Sequence, residues 1–384
     1  MIAYSRRLPE PKENAIARAL RERRDPYLDL TESNPTRVGL SPSMALEALA
    51  DPRALRYDPD PKGLAAARQA VSAYYAESRG AAVDPEHIVL TASTSEAYAM
   101  LFKLLCDPGD CVLVPEPSYP LFAMLTGLEG VRAVPYPLHF DGEWHLDASA
   151  VRFPGRCRAV LLVSPGNPTG AFVKEAELAA LTSGCAGAGC ALISDEVFAD
   201  FAWAADPRRV PTLAARGEVL SFALSGISKV CGLPQLKLGW CVVSGPGDEV
   251  ARALSRLEIV ADTYLSVATP VQLAAGRLLE ARHSFQRRVL ERVQMNRRAL
   301  GRVRPADARW DVLPAEGGWS AVLSVPRTRS EEDLVLALLA AGVLVHPGYF
   351  FDFSTGAHLV VSLVAPEGDF ARAAQVLSRV LQEW

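Results

Sequence analysis

The stretch Ser225-Gly-Ile-Ser-Lys229-Val-Cys-Gly-Leu-Pro-Gln-Leu-Lys237-Leu-Gly-Trp240 sets a lysine behind a small, hydroxyl-bearing turn, with a second cation eight residues further on. Gly239-Trp240 then reads as the return to a strand. A lysine that forms an imine needs a small, polar, partly desolvated setting, so that its amine is neutral often enough to attack a carbonyl. A second cation beside it suits a phosphate. The pair therefore fits an imine-forming lysine beside a phosphate-bearing aldehyde. A surface lysine in a Gly/Ser loop accounts for the same residues without any chemistry.

Outward from this segment, short β-rich apolar runs alternate with helical patterns from about residue 45 to 275. Candidate strands are His87–Thr91, Cys111–Val114, Arg132–Pro135, Ala159–Val163, Ala191–Ser194, Val219–Phe222 and Gly239–Val243, with helices such as Ser95–Leu105 and Glu175–Ser183 between them. The alternation predicts an α/β domain with a mostly parallel, seven-stranded sheet over 45–275. Beyond it the pattern changes to a long charged helix over 275–303, short strands at Ser320–Val325 and His358–Leu363, and a final amphipathic helix over Phe370–Trp384. This part, 276–384, reads as a smaller α+β domain joined by the N-terminal arm, residues 1–44.

In an open α/β sheet ligands bind at the carboxyl ends of the strands, and the polar candidates gather there. Asp195, after Ala191-Leu-Ile-Ser194, is either a helix cap or a carboxylate that keeps a ring nitrogen protonated. Asn167, within Ser164-Pro-Gly-Asn-Pro-Thr-Gly170, offers an amide donor, although Asn-Pro and Thr-Gly are also ordinary turn dipeptides. Ser93-Thr94-Ser95 opens a helix, where N–H groups and hydroxyls form an anion site. Simple Ser-x-x-Glu capping explains one of those hydroxyls but not all three. Tyr119, after Val114-Pro-Glu-Pro-Ser118, either stacks on a ring or is a buried structural tyrosine.

Taken in order, these strings resemble the fold-type I, aspartate-aminotransferase-like class I/II aminotransferases, which use pyridoxal 5'-phosphate (PLP). The resemblance covers almost the whole chain. Residues 27–37 look like the family's substrate-touching loop, and Tyr57–Gly63 like its Tyr-to-Gly segment. Glu316-Gly-Gly-Trp319 and Val345-His-Pro-Gly348 resemble small-domain segments that line the substrate pocket. The resemblance implies that Lys229 holds PLP as an internal aldimine and then serves as general base, with Asp195 on the pyridine nitrogen. It places Tyr119 on the ring face and Asn167 on the phenolic oxygen. Ser93, Thr94, Ser95, Lys237 and either Ser225 or Ser228 fall to the phosphate. It further implies that Tyr57 reaches the phosphate of a neighbouring subunit, hence a homodimer with shared active sites. The implied reaction moves an amino group between an amino acid, or a related amine, and a 2-oxo acid.

Several positions depart from that pattern. Phe198 stands where most relatives have a tyrosine donating to the phenolic oxygen, which predicts a raised pKa for the imine. Lys237 replaces the commoner arginine, keeping the charge but losing the bidentate fork. Gly226 replaces a common hydroxyl. Val360, in His358-Leu-Val-Val-Ser362, falls where an arginine is expected to clamp the substrate α-carboxylate, and no arginine lies between Arg329 and Arg372. Either Arg37, His346 or His358 holds the carboxylate, or the substrate is not an ordinary α-amino acid. These departures leave a β-eliminating lyase or a cyclase of specialised metabolism as the second reading on the same cofactor.

The remaining composition narrows the setting. A net charge of −4 with no basic stripe argues against nucleic acid as a partner. Seven scattered cysteines without a Cys-x-x-Cys pair fit reduced thiols in the cytoplasm, and the six histidines show no metal-ligand spacing. No apolar run reaches membrane-spanning length, and Met1–Glu10 lacks an apolar signal core, so the chain reads as complete and cytoplasmic.

Overall fold

The structure is a computed structural model that describes residues 4–10, 12–42, 45–265 and 267–384. Residues 1–3, 11, 43 and 44 of the expected N-terminal arm, and residue 266, lie outside the described residues.

The alternating pattern folds as one eight-stranded sheet. Its spatial order is Ile88–Thr91, Gly239–Ser244, Ser221–Gly226, Ala191–Asp195, Cys157–Val163, Cys111–Glu116, Arg132–Phe140 and Trp144–Leu146. Gly239–Ser244 is antiparallel to both neighbours and Trp144–Leu146 to Arg132–Phe140; the other pairs are parallel. All seven expected strands are present. The eighth, Trp144–Leu146, is a three-residue edge strand too short to show a period.

Helices cover both faces of this sheet, which is why its central strands read as unbroken apolar runs: Ser221–Gly226 and Gly239–Ser244 are buried at every position. One face packs Val71, Leu90, Trp240 and Leu279, the other Val89, Leu101, Phe222 and Leu257. Each such fully buried side chain stabilises the fold by about 1.5–3 kcal/mol.

A second sheet of four antiparallel strands runs Asp311–Val312, Ser320–Ser324, His358–Ser362, His346–Pro347. It shares a separate core with helices Arg282–Val303, Glu331–Ala340 and Glu367–Glu383, through residues such as Val289, Val335, Leu359 and Phe370. Leu28–Asp29 pairs in parallel with Val343–Leu344, which brings Ile16 and Leu30 into the same core.

The single helix expected over 275–303 is instead two, Thr269–Glu280 and Arg282–Val303, separated at Ala281. Arg282 accounts for the break. Its guanidinium is buried, donates to the Leu279 carbonyl at 2.7 Å and to Ser78 Oγ at 3.0 Å, and pairs with Glu77 at 2.7 Å. A charge pattern along the chain counts such an arginine as surface and runs the helix through it. Among the described residues, no helix is long and apolar enough to cross a membrane.

Candidate active site

Thr91, Glu116, Val163, Asp195 and Gly226 all end strands at one edge of the large sheet, and loops of the second sheet close over that edge. Between them lies a cavity of about 310 Å³ that draws together Ser93, Thr94, Ser95, Tyr119, Asn167, Asp195, Phe198, Ser228 and Lys229. A larger hollow of about 480 Å³ is lined by Arg158, Glu218, Arg252 and their neighbours; none of the expected site residues lines it.

Lys229 stands in the single helical turn Ile227–Val230 that follows Gly226. Its Nζ is 5.1 Å from the ring centroid of Trp319 and 5.4 Å from that of Phe198. Burial lowers its pKa from 10.5 to about 8, against the pull of Asp195 and Glu32. At pH 7 roughly a tenth of such amines are neutral, against well under one in a thousand for a solvated lysine. The surface-lysine reading does not survive this setting.

Asp195 is the last residue of its strand. Burial raises its pKa from 3.8 to about 6, opposed by the Val197 N–H at 3.2 Å, the Tyr98 hydroxyl at 3.3 Å and the charge of Lys229. Tyr98 and Glu32 were not singled out from the sequence. Tyr98 lies four residues after Thr94 on the same helix face, and that spacing is the signal that would have found it.

The hydroxyl run divides its labour. Ser93 Oγ accepts the Glu96 N–H at 3.2 Å and the Glu96 carboxylate accepts the Ala92 N–H at 2.6 Å, so Ser93 is a true capping residue. Ser228 lines the cavity, whereas Ser225 is buried and its hydroxyl has no partner among the described residues. Gly226 and Gly239 face one another across paired strands. A Cβ on Gly226 would lie 2.9 Å from the Leu238 carbonyl, and one on Gly239 would lie 3.1 Å from the Ser93 backbone. The missing hydroxyl at position 226 thus has a packing cause.

Tyr119 is 47% exposed and so is not a buried structural tyrosine. Besides Ser225, two further expected residues are not brought to the cavity of their own chain. Lys237 is exposed, in the left-handed region (φ 55°) after the Pro234–Leu236 turn. Tyr57 is 72% exposed, in a separate hollow with Asp60, Leu90 and Leu265.

Trp319 closes the cavity from the second domain, its ring edge-on to Phe198 at 5.2 Å and Phe201 at 5.0 Å. Its loop is anchored by Glu316, whose carboxylate pairs with Arg209 at 2.8 Å and with Lys174, and whose N–H donates to the Gly170 carbonyl at 3.2 Å. Gly170 (φ +70°) lies so near this loop that a Cβ would sit 2.5 Å from the Gly317 carbonyl. The Asn167 turn and the Trp319 loop therefore dock backbone to backbone, which only glycine permits.

Of the three groups considered for the substrate carboxylate, only His346 lines the cavity, with its pKa lowered by burial against the opposing charge of Asp29. Arg37 has a side chain 75% exposed and pairs with Glu32 at 3.1 Å. His358 is buried and stacks on Phe353 at 4.3 Å.

Comparison with known proteins agrees with this arrangement. The sequence profile of the family "Aminotransferase class I and II" matches residues 26–377. The glutamate-pyruvate aminotransferase AlaA of Haemophilus influenzae is 27% identical over 305 residues, covering 73% of this chain and 74% of the relative. The alanine aminotransferase of Mycobacterium tuberculosis is 26% identical over 339 residues, covering 84% and 77%. In fold, an aminotransferase from Escherichia coli superposes with a TM-score of 0.86 at 22% identity, covering 100% of this chain and 99% of that one. An alanine aminotransferase from Pyrococcus furiosus superposes at 0.84 and 23% identity, covering 96% and 95%. The chain belongs to the class I and II aminotransferases and is a PLP-dependent enzyme of that family.

Proposed function

We propose that Lys229 is the residue that binds PLP covalently and, once released, moves the proton at the substrate carbon. The observation that carries this reading is a lysine depressed to about pKa 8 in a cavity shared with a strand-end carboxylate and a helix-start hydroxyl cluster. PLP supplies an aldehyde that captures amines and a protonated ring that withdraws electrons from the bond being broken. The donor set fits such a group. Asp195 holds the proton on the ring nitrogen, its ionised form supported by Tyr98 and Val197. Thr94, Ser95 and Ser228 bind the phosphate at the helix start, and Gly226 and Gly239 keep the backbone low enough to admit it. Tyr119 covers one ring face, while Asn167 donates on the phenolic side beside Phe198.

We further infer a homodimer in which Tyr57 serves the partner's cavity, a reading supported by its exposure and by its place in a hollow separate from its own chain's cavity. The two working bodies are residues 45–275, and 1–44 with 276–384, with the substrates held between them. A cytoplasmic setting is supported by seven unpaired cysteines.

The test is a half-reaction on purified, PLP-loaded protein. An amino donor should discharge the visible absorbance of the bound cofactor, and an oxo acceptor should restore it. Release of ammonia with the absorbance retained would assign the lyase instead. Lys229→Ala should lose the borohydride-fixable mass adduct of PLP.

A further inference from the structure

The second sheet presents His346, Val360, Ser362 and Ser320 to the Lys229 cavity. Val360 faces His346 across one strand pair and Val322 across the other, while Ser320 faces Ser362. Val360 is 2% exposed and packs in an apolar cluster with Val322 and Phe351. The Phe351 carbonyl accepts the Ser118 N–H at 2.9 Å, which joins this cluster to the segment carrying Tyr119. The wall is thus sealed by side chains of this chain. Among the described residues that line the cavity, Lys229 is the one lysine or arginine, and the proposed reading commits its amine to PLP. The polar groups left on this side of the cavity are two hydroxyls, an imidazole and the indole N–H of Trp319, which has no partner among the described residues; none of them is a guanidinium or an ammonium.

A carboxylate brought against Val360 gives up its water and meets no guanidinium fork. An alkyl, aryl, hydroxyl or carboxamide group meets apolar contacts or the neutral partners Ser320, Ser362 and His346. Building on the aminotransferase reading, we propose that the preferred amino substrate is a primary amine with no carboxylate on its amino-bearing carbon. The group in that place is uncharged, and Val360 is the residue that selects it. A 2-oxo acid acceptor then binds without a clamp and is used with a high KM.

The experiment compares matched pairs on PLP-loaded protein: L-alanine with L-alaninol, and L-phenylalanine with 2-phenylethylamine and L-phenylalaninamide. The rate of discharge of the cofactor absorbance gives kcat/KM, and the member that lacks the carboxylate should lead by at least about tenfold. A parallel arm measures binding by calorimetry with the unreactive pair 3-phenylpropionate and 3-phenylpropanol, where the alcohol should bind more tightly. Val360→Arg should reverse both orders; if that variant does not fold, the wild-type pairs decide alone. Equal or faster discharge by the free amino acids, or tighter binding of 3-phenylpropionate, overturns the proposal and leaves the aminotransferase reading intact. Tighter binding of the alcohol with no discharge by any amine leaves the wall assignment standing and sinks amino transfer.

Discussion

The hydroxyl of Tyr98 donates to Asp195 Oδ2 at 3.3 Å from a helix that begins at Thr94, so the segment that offers an anion site also steadies the carboxylate. Burial already lifts Asp195 to about pKa 6, and each donor that favours the ionised form holds it from rising further. Tyr98→Phe should keep the fold, because the ring packs on Phe102 and Phe122 at 6.0 and 5.4 Å. One lost hydrogen bond of about 0.5–1.5 kcal/mol lowers kcat roughly three- to tenfold. The acid limb of the pH–rate profile should move to higher pH, since losing the donor raises the pKa of Asp195. An unmoved limb would show that Tyr98 only packs.

The ring centroid of Phe198 is 5.4 Å from Lys229 Nζ, and in the proposed PLP site this apolar ring stands where a hydroxyl would serve the phenolic side. A phenolate lacking that donor leaves the protonated linkage to neutralise it alone, which raises the pKa of the linkage. Phe198→Tyr should therefore titrate the visible absorbance of bound PLP at lower pH than the wild type, by about one unit. Spectra recorded from acid to alkaline pH check this. A wild-type midpoint already well below neutral contradicts the idea.

Gly226 has no space for a side chain: a Cβ there lies 2.9 Å from the Leu238 carbonyl and 3.0 Å from Gly239 Cα, both backbone. Gly226→Ala must spread the strands Ser221–Gly226 and Gly239–Ser244 at the edge where PLP is proposed to sit. The expected loss is about 1–3 kcal/mol in urea denaturation, with faster release of PLP. Gly247→Ala is the control, since nothing lies within 4 Å of its added Cβ.

His358 is held neutral by burial, its pKa lowered from 6.5 to about 4. The unfolded chain binds the proton first as pH falls. The stability contribution of His358 is therefore present above pH 6.5 and lost through pH 4, by up to about 3 kcal/mol. His358→Phe preserves the stack on Phe353 and removes the titration; Nδ1 has no partner among the described residues to lose. Urea curves at pH 7 and pH 4.5 should show the variant gaining on the wild type in acid. Parallel behaviour at both values would falsify the assignment.

Local strings carried much of the outcome. The Ser225–Trp240 segment, the Asn167 turn and the Ser93–Ser95 helix start each reveal themselves within a few residues, because turn chemistry and capping act at that range. They reach one cavity because every parallel strand ends at the same edge. Tyr98 escaped notice because a tyrosine in an apolar helix face reads as core until the strand it faces is known. Ser225 and Ser228 cannot be told apart in sequence for a similar reason: three residues apart, one falls in the buried strand Ser221–Gly226 and the other in the Ile227–Val230 turn that faces the cavity.

By itself the sequence determined seven of the eight strands of the large sheet, though not where each one ends (Val219–Phe222 was expected where Ser221–Gly226 forms), and the segment that carries Lys229, since hydrophobic period and turn residues are written along the chain. Only the tertiary structure decided the break at Ala281, the depressed amine of Lys229 and the opposition of His346 to Val360. Those depend on which groups two separately built sheets remove from water, and desolvation is set by packing between distant segments rather than by neighbours in sequence.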